Sequence, residues 1–297
     1  VLEGYVYLAA VIGMFVAAAA FLTWGLVNRR PLIGLVAVLI GVPLLVTTIR
    51  ALRALVFTRS RPQGVLLTRR FGGGVLTALE EIRGRVHAPK VHDVLITDQF
   101  NAAVLQIARA GLFWPKNTLL LGYPMIATLS EAHIRAVIAH ELGHLTQGHG
   151  RLAAWVHRTR LSWLRLMSDL GARGETPAHA HLLFRWSVPR LDAEAAAVSR
   201  QQARPADRLA AEVAGSDTTA EALIAMEIGA NVFDRDFWPG IFNRVVSEAE
   251  PPSPFAEMGP HVWAAAGGRG PLLAELLDRS TALDDTHPSL SERLDRL

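Results

Sequence analysis

The sequence predicts a mainly α-helical fold with a small β-sheet, an α+β class, preceded by an N-terminal transmembrane helical hairpin. Three observations lead to this prediction: two long uncharged runs near the N-terminus, three short segments rich in Val, Leu and Ile between residues 91 and 122, and helical periodicity beyond residue 130. The chain has 297 residues, of which 51% are hydrophobic and 19% charged. This composition excludes a disordered chain or a coiled coil.

The two uncharged runs, residues 6–27 and 32–49, are each close to the roughly 20 residues that an apolar helix needs to cross a bilayer. A short polar turn, Asn28-Arg29-Arg30-Pro31, separates them. Because both runs lack a polar face, we favour a hairpin in contact with the lipid bilayer over a buried helical pair in a soluble protein. The predicted domains are therefore the transmembrane hairpin, residues 1–60, and a second domain, residues 61–297.

The arginines around the hairpin predict its orientation. Six arginines lie between residues 50 and 70, whereas the turn between the two runs holds two. Positively charged segments next to membrane spans tend to stay on the cytoplasmic side. We therefore expect a multi-pass protein of the inner or plasma membrane, with residues 61–297 in the cytoplasm.

Charge and cysteine usage limit the chemistry of the second domain. The formal net charge is only +3, and no basic run with interleaved aromatic residues appears, so nucleic acid is not an expected partner. The chain has no cysteine, which excludes disulfides, thiol catalysis and cysteine-ligated zinc. A metal site in this protein must use His, Asp or Glu.

Along the second domain, the segments 91–97, 102–109 and 118–122 are strand-like and separated by turn residues, which predicts a small antiparallel meander. From Ser130, a good helix N-cap, apolar residues recur at helical spacing. Further on, Pro205 is expected to divide a helix over 191–202 from another over 206–214, because proline disfavours a helix interior. Residues 233–271, rich in Pro, Gly and Trp, are expected to be irregular.

One motif stands above this background: His140-Glu141-Leu142-Gly143-His144, the HExxH pattern. Because it lies in the helix that begins at Ser130, His140 and His144 are one turn apart on one face and can hold one Zn²⁺. Glu141 is adjacent, so it can take a proton from a metal-bound water and pass it to the leaving amine. The alternative is a surface helix that carries two histidines without a metal, but the apolar surroundings argue against it.

Three further segments accompany this motif. They are Asn117-Thr-Leu-Leu-Leu-Gly122, Leu129-Ser-Glu131 leading into the HExxH helix, and Thr286-His-Pro-Ser-Leu-Ser-Glu-Arg293. Together they resemble the M48 family of membrane-bound zinc metallopeptidases, the group of the HtpX heat-shock protease and the CAAX prenyl protease. The resemblance covers about residues 75–297. It implies a gluzincin-like domain that hydrolyses peptide bonds in a polypeptide substrate, with two histidine ligands and a downstream glutamate as the third.

The third-ligand position departs from that family. The matching segment, Ala203-Arg-Pro-Ala-Asp207, holds Ala203 where the family has the glutamate. A two-histidine site completed by water or by Asp207 is the first candidate, followed by Glu194, and a metal-free site is also open. The usual role of the aspartate in such enzymes is instead to orient a ligand histidine from behind. The resemblance assigns His287 to stabilising the oxyanion of the tetrahedral intermediate, with a helix-capping histidine as the alternative.

Two functional hypotheses follow. The first is a membrane-anchored zinc-dependent metalloendopeptidase, with Glu141 as general base and His140 and His144 as metal ligands. The second is a catalytically degenerate pseudoprotease that binds peptides or a membrane partner without cleaving them. The intact HExxH motif favours the first hypothesis, and Ala203 favours the second.

Overall fold

The structure is a computed structural model. It describes residues 62–110, 113–146, 178–250, 252–265 and 269–297 except 284, together with scattered positions between 9 and 46. For residues 107–110, 113–115, 178–195, 261–265 and 269 the description covers the backbone alone.

The chain forms two compact units. The first comprises residues 1–60, 108–115 and 150–192, and the second comprises 61–107, 116–149 and 193–297. The described positions between 9 and 46 are helical apart from a turn at Asn28 and Arg29. Much of the two predicted transmembrane runs, 6–27 and 32–49, lies outside the described residues. Within the described part of the chain, no helix is both long and apolar enough to span a membrane.

The β-sheet has four strands. They are β1 (Val65–Leu66), β2 (Asp93–Thr97), β3 (Ala102–Ala110) and β4 (Phe113–Gly122), in the order β1-β2-β4-β3. β1 is antiparallel to β2, whereas β2 is parallel to β4, with Asp93 opposite Thr118. The predicted antiparallel meander is therefore wrong. β4, whose Leu119 and Leu121 are fully buried, occupies an inner position between β2 and β3, which is typical of a strand with an apolar run such as Leu119–Leu121.

The N-terminal half of this part of the chain also contains three helices: α1 (Arg69–Arg85), α2 (Tyr123–Thr128) and α3 (Glu131–Thr146). The HExxH motif lies in α3. The predicted cap of α3 is present, since the amide of His133 donates to Oγ of Ser130 at 3.2 Å. Eight consecutive residues of α3, 136–143, are buried, so this helix runs through the core. Its core partners include Leu79, Ile82, Leu119, Leu121, Phe233 and Phe237.

The C-terminal half is helical. It consists of α4 (Ala178–Ala214), α5 (Ser216–Val232), a π-helical turn (Phe233–Phe237), α6 (Trp238–Ser247), α7 (Pro254–Ala265), α8 (Arg269–Asp278) and α9 (Leu290–Leu294).

Two predictions for this half are corrected. α4 continues through Pro205 rather than breaking there. Ala203, Ala206 and Ala210 are all buried on its inner side, and the packing of this face outweighs the local cost of proline. The 233–271 segment is largely helical instead of irregular, because its aromatic residues pack into the core.

Candidate metal centre

Helix α3 brings the two motif histidines together. Nε2 of His140 and Nε2 of His144 are 3.1 Å apart, and their ring planes are nearly perpendicular at 85°. The one-turn spacing on a single helix face produces this arrangement. Both nitrogens therefore face the same small volume, as two ligands of one ion must.

A third imidazole closes the group. His287 comes from the segment just before α9, and its ring centroid lies 5.6 Å from that of His140 and 5.9 Å from that of His144. One ring nitrogen from each of the three histidines lies within 4.8 Å of the others. Three imidazoles are a donor set that suits Zn²⁺, so the residues present fit the metal that the motif implies.

The protonation of the cluster also suits a metal. Burial is the largest cause that lowers the pKa of His144 to about 3, with His140 adding to the effect. Burial likewise lowers the pKa of His287 to about 3, helped by Arg293 and the two other histidines. Both rings are therefore neutral at pH 7 and keep a lone pair for coordination.

Asp207 of α4 supports His140 from behind. Its Oδ1 lies 2.8 Å from Nδ1 of His140, although the N–H direction departs from a well-aligned hydrogen bond. Arg293 of α9 holds the same carboxylate through Nε (3.0 Å) and Nη2 (2.6 Å). Burial opposes ionisation of this aspartate, but the contacts with His140 and Arg293 outweigh it and hold its pKa well below the usual range. A carboxylate engaged on both oxygens orients a histidine rather than binding a metal itself.

Glu141 occupies the wall beside the imidazoles. Its carboxyl is buried, and Oε2 accepts a hydrogen bond from the amide of Val104 at 3.0 Å. Burial raises the pKa of this carboxyl, while His140 and the Val104 amide oppose the rise. A raised pKa brings a carboxylate closer to the range in which it can both accept and return a proton near neutral pH.

Ala203 stands at the sequence position where the family resemblance implies a glutamate ligand. It is fully buried and lies one turn before Asp207 on the same face of α4. Its methyl group offers no ligand atom. Glu194, the other carboxylate considered, lies in the part of α4 whose side chains are not described.

An open cleft of about 910 Å³ leads to the centre. Asn101 and Ala102, at the start of the edge strand β3, line it together with residues of α5 and the π-helical turn. His140, Glu141, Asp207, His287 and Arg293 all line it. Its apolar wall contains Phe100, Leu223, Met226, Phe233, Trp238 and Phe242.

The structure therefore brings together five residues that the sequence singles out for the site: His140, His144, Glu141, Asp207 and His287. Two participants have no role in the sequence prediction, the Arg293 guanidinium and the Val104 amide. Arg293 lies in the C-terminal segment that resembles the family, so the sequence does contain a signal for its role at the site. The Val104 contact is a backbone interaction, which no side-chain pattern reveals.

Comparison with known proteins gives one match. The family model described as Peptidase family M48 matches residues 86–297, which include α3, α4 and the His287 segment. No curated protein and no solved structure matches the chain. Since the match covers well over half of the sequence and contains the whole imidazole cluster, this chain belongs to peptidase family M48.

Proposed function

We propose that this protein is a membrane-anchored, zinc-dependent metalloendopeptidase. The observation that carries the proposal is the 3.1 Å approach of Nε2 of His140 to Nε2 of His144, with His140 and Glu141 both lining the cleft. Family membership supports metallopeptidase chemistry. The uncharged runs at 6–27 and 32–49 support the anchor, in an inner or plasma membrane with the peptidase domain in the cytoplasm.

In this proposal His140 and His144 hold Zn²⁺. The ion would supply Lewis acidity, polarising the scissile carbonyl and lowering the pKa of a water molecule. Asp207 keeps the ring of His140 oriented through its contact at Nδ1, and Arg293 keeps Asp207 in place.

Glu141 is the proton carrier of the reaction. The Val104 amide fixes Oε2, so the opposite oxygen, Oε1, is the atom left to accept a proton from the attacking water. The same carboxyl then donates that proton to the amine of the leaving peptide. The low exposure of Glu141 excludes bulk water, which strengthens its electrostatic effect on the reacting groups.

The cleft suits an extended polypeptide. β3 is at one edge of the sheet, so a substrate segment can pair with it as an added strand and lie across the imidazole cluster. The aromatic and aliphatic side chains that line the cleft offer contacts for apolar side chains of a substrate. An unfolded protein or a segment extracted from the membrane presents such an extended, apolar chain.

The test compares Glu141→Gln with the wild-type chain, using cleavage of unfolded, labelled casein and zinc content by mass spectrometry. Glu131→Gln, an exposed position on the same helix, is the matched control. We expect Glu141→Gln to lower cleavage by at least ~100-fold, the lower range of general acid–base catalysis, while zinc stays bound. Cleavage that survives Glu141→Gln would contradict the mechanism.

Ala203 supports a second candidate, a pseudoprotease that binds peptides or a membrane partner. A metal site that has lost one of three protein ligands binds zinc weakly unless another group replaces it. The same experiment separates the two candidates. Wild-type protein that binds casein but cleaves it no faster than Glu141→Gln would establish the second.

A further inference from the structure

We propose that His287 is the third zinc ligand of this chain and replaces the carboxylate that is missing at Ala203. The inference rests on the metal site of the proposed function. It changes how that site is assembled, because the third ligand then comes from the C-terminal segment before α9 rather than from α4.

The distances allow this ligand set. Zinc–nitrogen bonds of about 2.0–2.1 Å in tetrahedral geometry place ligand nitrogens roughly 3.3 Å apart. The His140 and His144 pair, at 3.1 Å, already has this spacing. The cluster of three spreads over no more than 4.8 Å, so the His287 ring needs a shift of about 1.5 Å or less to join the pair.

The second ring nitrogen of His287 also has an oxygen partner, as is usual for a metal-bound histidine. Oγ1 of Thr286 lies 3.1 Å from its Nδ1, which leaves Nε2 as the free nitrogen. A metal-bound histidine usually has its second nitrogen tied to an oxygen in this way, which fixes tautomer and ring orientation. His140 has the same arrangement, with Asp207 at Nδ1 and Nε2 directed at His144.

The segment that carries His287 is held in place by the residues that follow it in the sequence. Arg293 forms the buried pair with Asp207, which joins α9 to the helix behind His140. The amide of Ser289 donates to Oγ1 of Thr281 at 2.8 Å, and that hydroxyl donates to Glu292. A ligand on a segment anchored in this way is preorganised for the metal.

The alanine at position 203 explains why the site needs another third ligand. Zinc sites of catalytic proteins commonly have three protein ligands, in sets that include three histidines as well as two histidines with a glutamate. Here the glutamate position holds a methyl group while a third imidazole lies within reach of the other two. The three-histidine set is neutral, so bound Zn²⁺ would keep its full charge of +2 at the water-binding position.

The test measures metal binding on the full chain. His287→Ala is compared with wild type and with His133→Ala. His133 is a histidine of α3 that contacts Glu221 and lies outside the imidazole cluster. Zinc affinity is determined by competition with a chelator. Loss of supporting contacts alone costs 10–100-fold in metal affinity, so removing a ligand should cost at least ~100-fold. The His133→Ala control should bind like wild type.

His287→Cys provides a second, spectroscopic test that does not depend on the alanine variant being folded. The natural chain has no cysteine, so a thiolate-to-cobalt charge-transfer band in the Co²⁺-loaded variant can come only from position 287. We expect this band in His287→Cys and its absence in wild type.

The outcomes separate this inference from the proposed function. Unchanged zinc affinity in His287→Ala, or a folded, cobalt-loaded His287→Cys without the band, would overturn the third-ligand assignment and leave the peptidase proposal intact. Zinc binding that depends on His287 in a chain without peptidase activity would support the assignment and overturn the peptidase proposal. Wild-type protein that binds no more zinc than His140→Ala would overturn both.

Discussion

Gly143 lies directly against Ala206, so that a Cβ atom at position 143 would stand 2.8 Å from Cα and 3.0 Å from Cβ of Ala206. The glycine of the HExxH motif is therefore a point of close approach between α3 and α4. Asp207 follows Ala206 and contacts His140, so this close approach sets the position of the carboxylate behind the first histidine. Two small residues thus allow the Asp207 carboxylate to lie against the His140 ring.

Gly143→Ala should force the two helices apart. Overpacking of a tightly packed core costs about 1–3 kcal/mol, and the displacement should also weaken zinc binding by separating His140 from Asp207. Gly84→Ala is the matched control, because a Cβ there meets nothing within 4 Å, and an alanine should stabilise its helix slightly. Denaturant unfolding and zinc competition measure both effects. Equal stability of Gly143→Ala and Gly84→Ala would contradict the close-approach interpretation.

The HExxH helix is the part of the fold that the sequence predicts best. Its start at Ser130 is confirmed by the side-chain cap, and the periodic apolar residues predict its burial. These features are local, so a single stretch of sequence contains them. The prediction of the M48 family is confirmed for the same reason, since its motifs are short and specific.

Features that depend on distant residues are harder to predict. Pro205 correctly signals a local cost, but the burial of Ala203 and Ala206 against other elements decides that α4 continues. The parallel pairing of Asp93 with Thr118 joins β2 to β4, although β3 comes between them in the sequence. Local strand patterns do not specify which strands pair. The approach of His287 to His140 spans almost 150 residues, and no spacing rule covers that separation.

Asp207→Asn tests the support behind His140. The change leaves the buried Arg293 without its ionic partner, which should lower the free energy of unfolding by about 3 kcal/mol. Zinc affinity should fall 10–100-fold, the range for a residue that orients a ligand. Glu212→Gln, at an exposed position on the same helix, should change neither quantity. Unchanged zinc affinity would show that Asp207 does not orient His140, and a much larger loss would indicate that it binds the metal.

The stability of the metal-free protein should depend on pH through the imidazole cluster. In the folded chain, burial lowers the pKa of His144 and His287 to about 3, whereas in the unfolded chain histidines titrate near 6.5. Between these values the unfolded state binds more protons, so stability rises with pH and is lost on acidification below about 6.5. Asp207 makes no difference between pH 5 and pH 7, because its pKa is lowered in the fold and its unfolded value is already near 3.8.

The comparison of wild type with His287→Gln isolates one histidine. The melting temperature of the metal-free wild-type protein should fall more steeply between pH 7 and pH 5 than that of the variant, which cannot gain a proton at this position. Glu141, whose pKa is raised by burial, acts in the opposite direction in both proteins and cancels in the difference. Identical slopes for the two proteins would contradict the assignment of a buried neutral ring to His287.

Ala203→Glu tests whether the site can return to a ligand on α4. Position 203 is fully buried and lies one turn before Asp207, so a glutamate there would be directed along the face that supports His140. In the His287→Ala background we expect Ala203→Glu to restore zinc affinity by at least ~10-fold, because a carboxylate completes the two-histidine set. Without zinc the same glutamate should destabilise the protein, since an unpaired buried charge is costly. Ala203→Gln, similar in size but a weaker ligand, is the matched control. If it restores zinc affinity as well as the glutamate does, filling the space rather than coordinating the metal explains the effect.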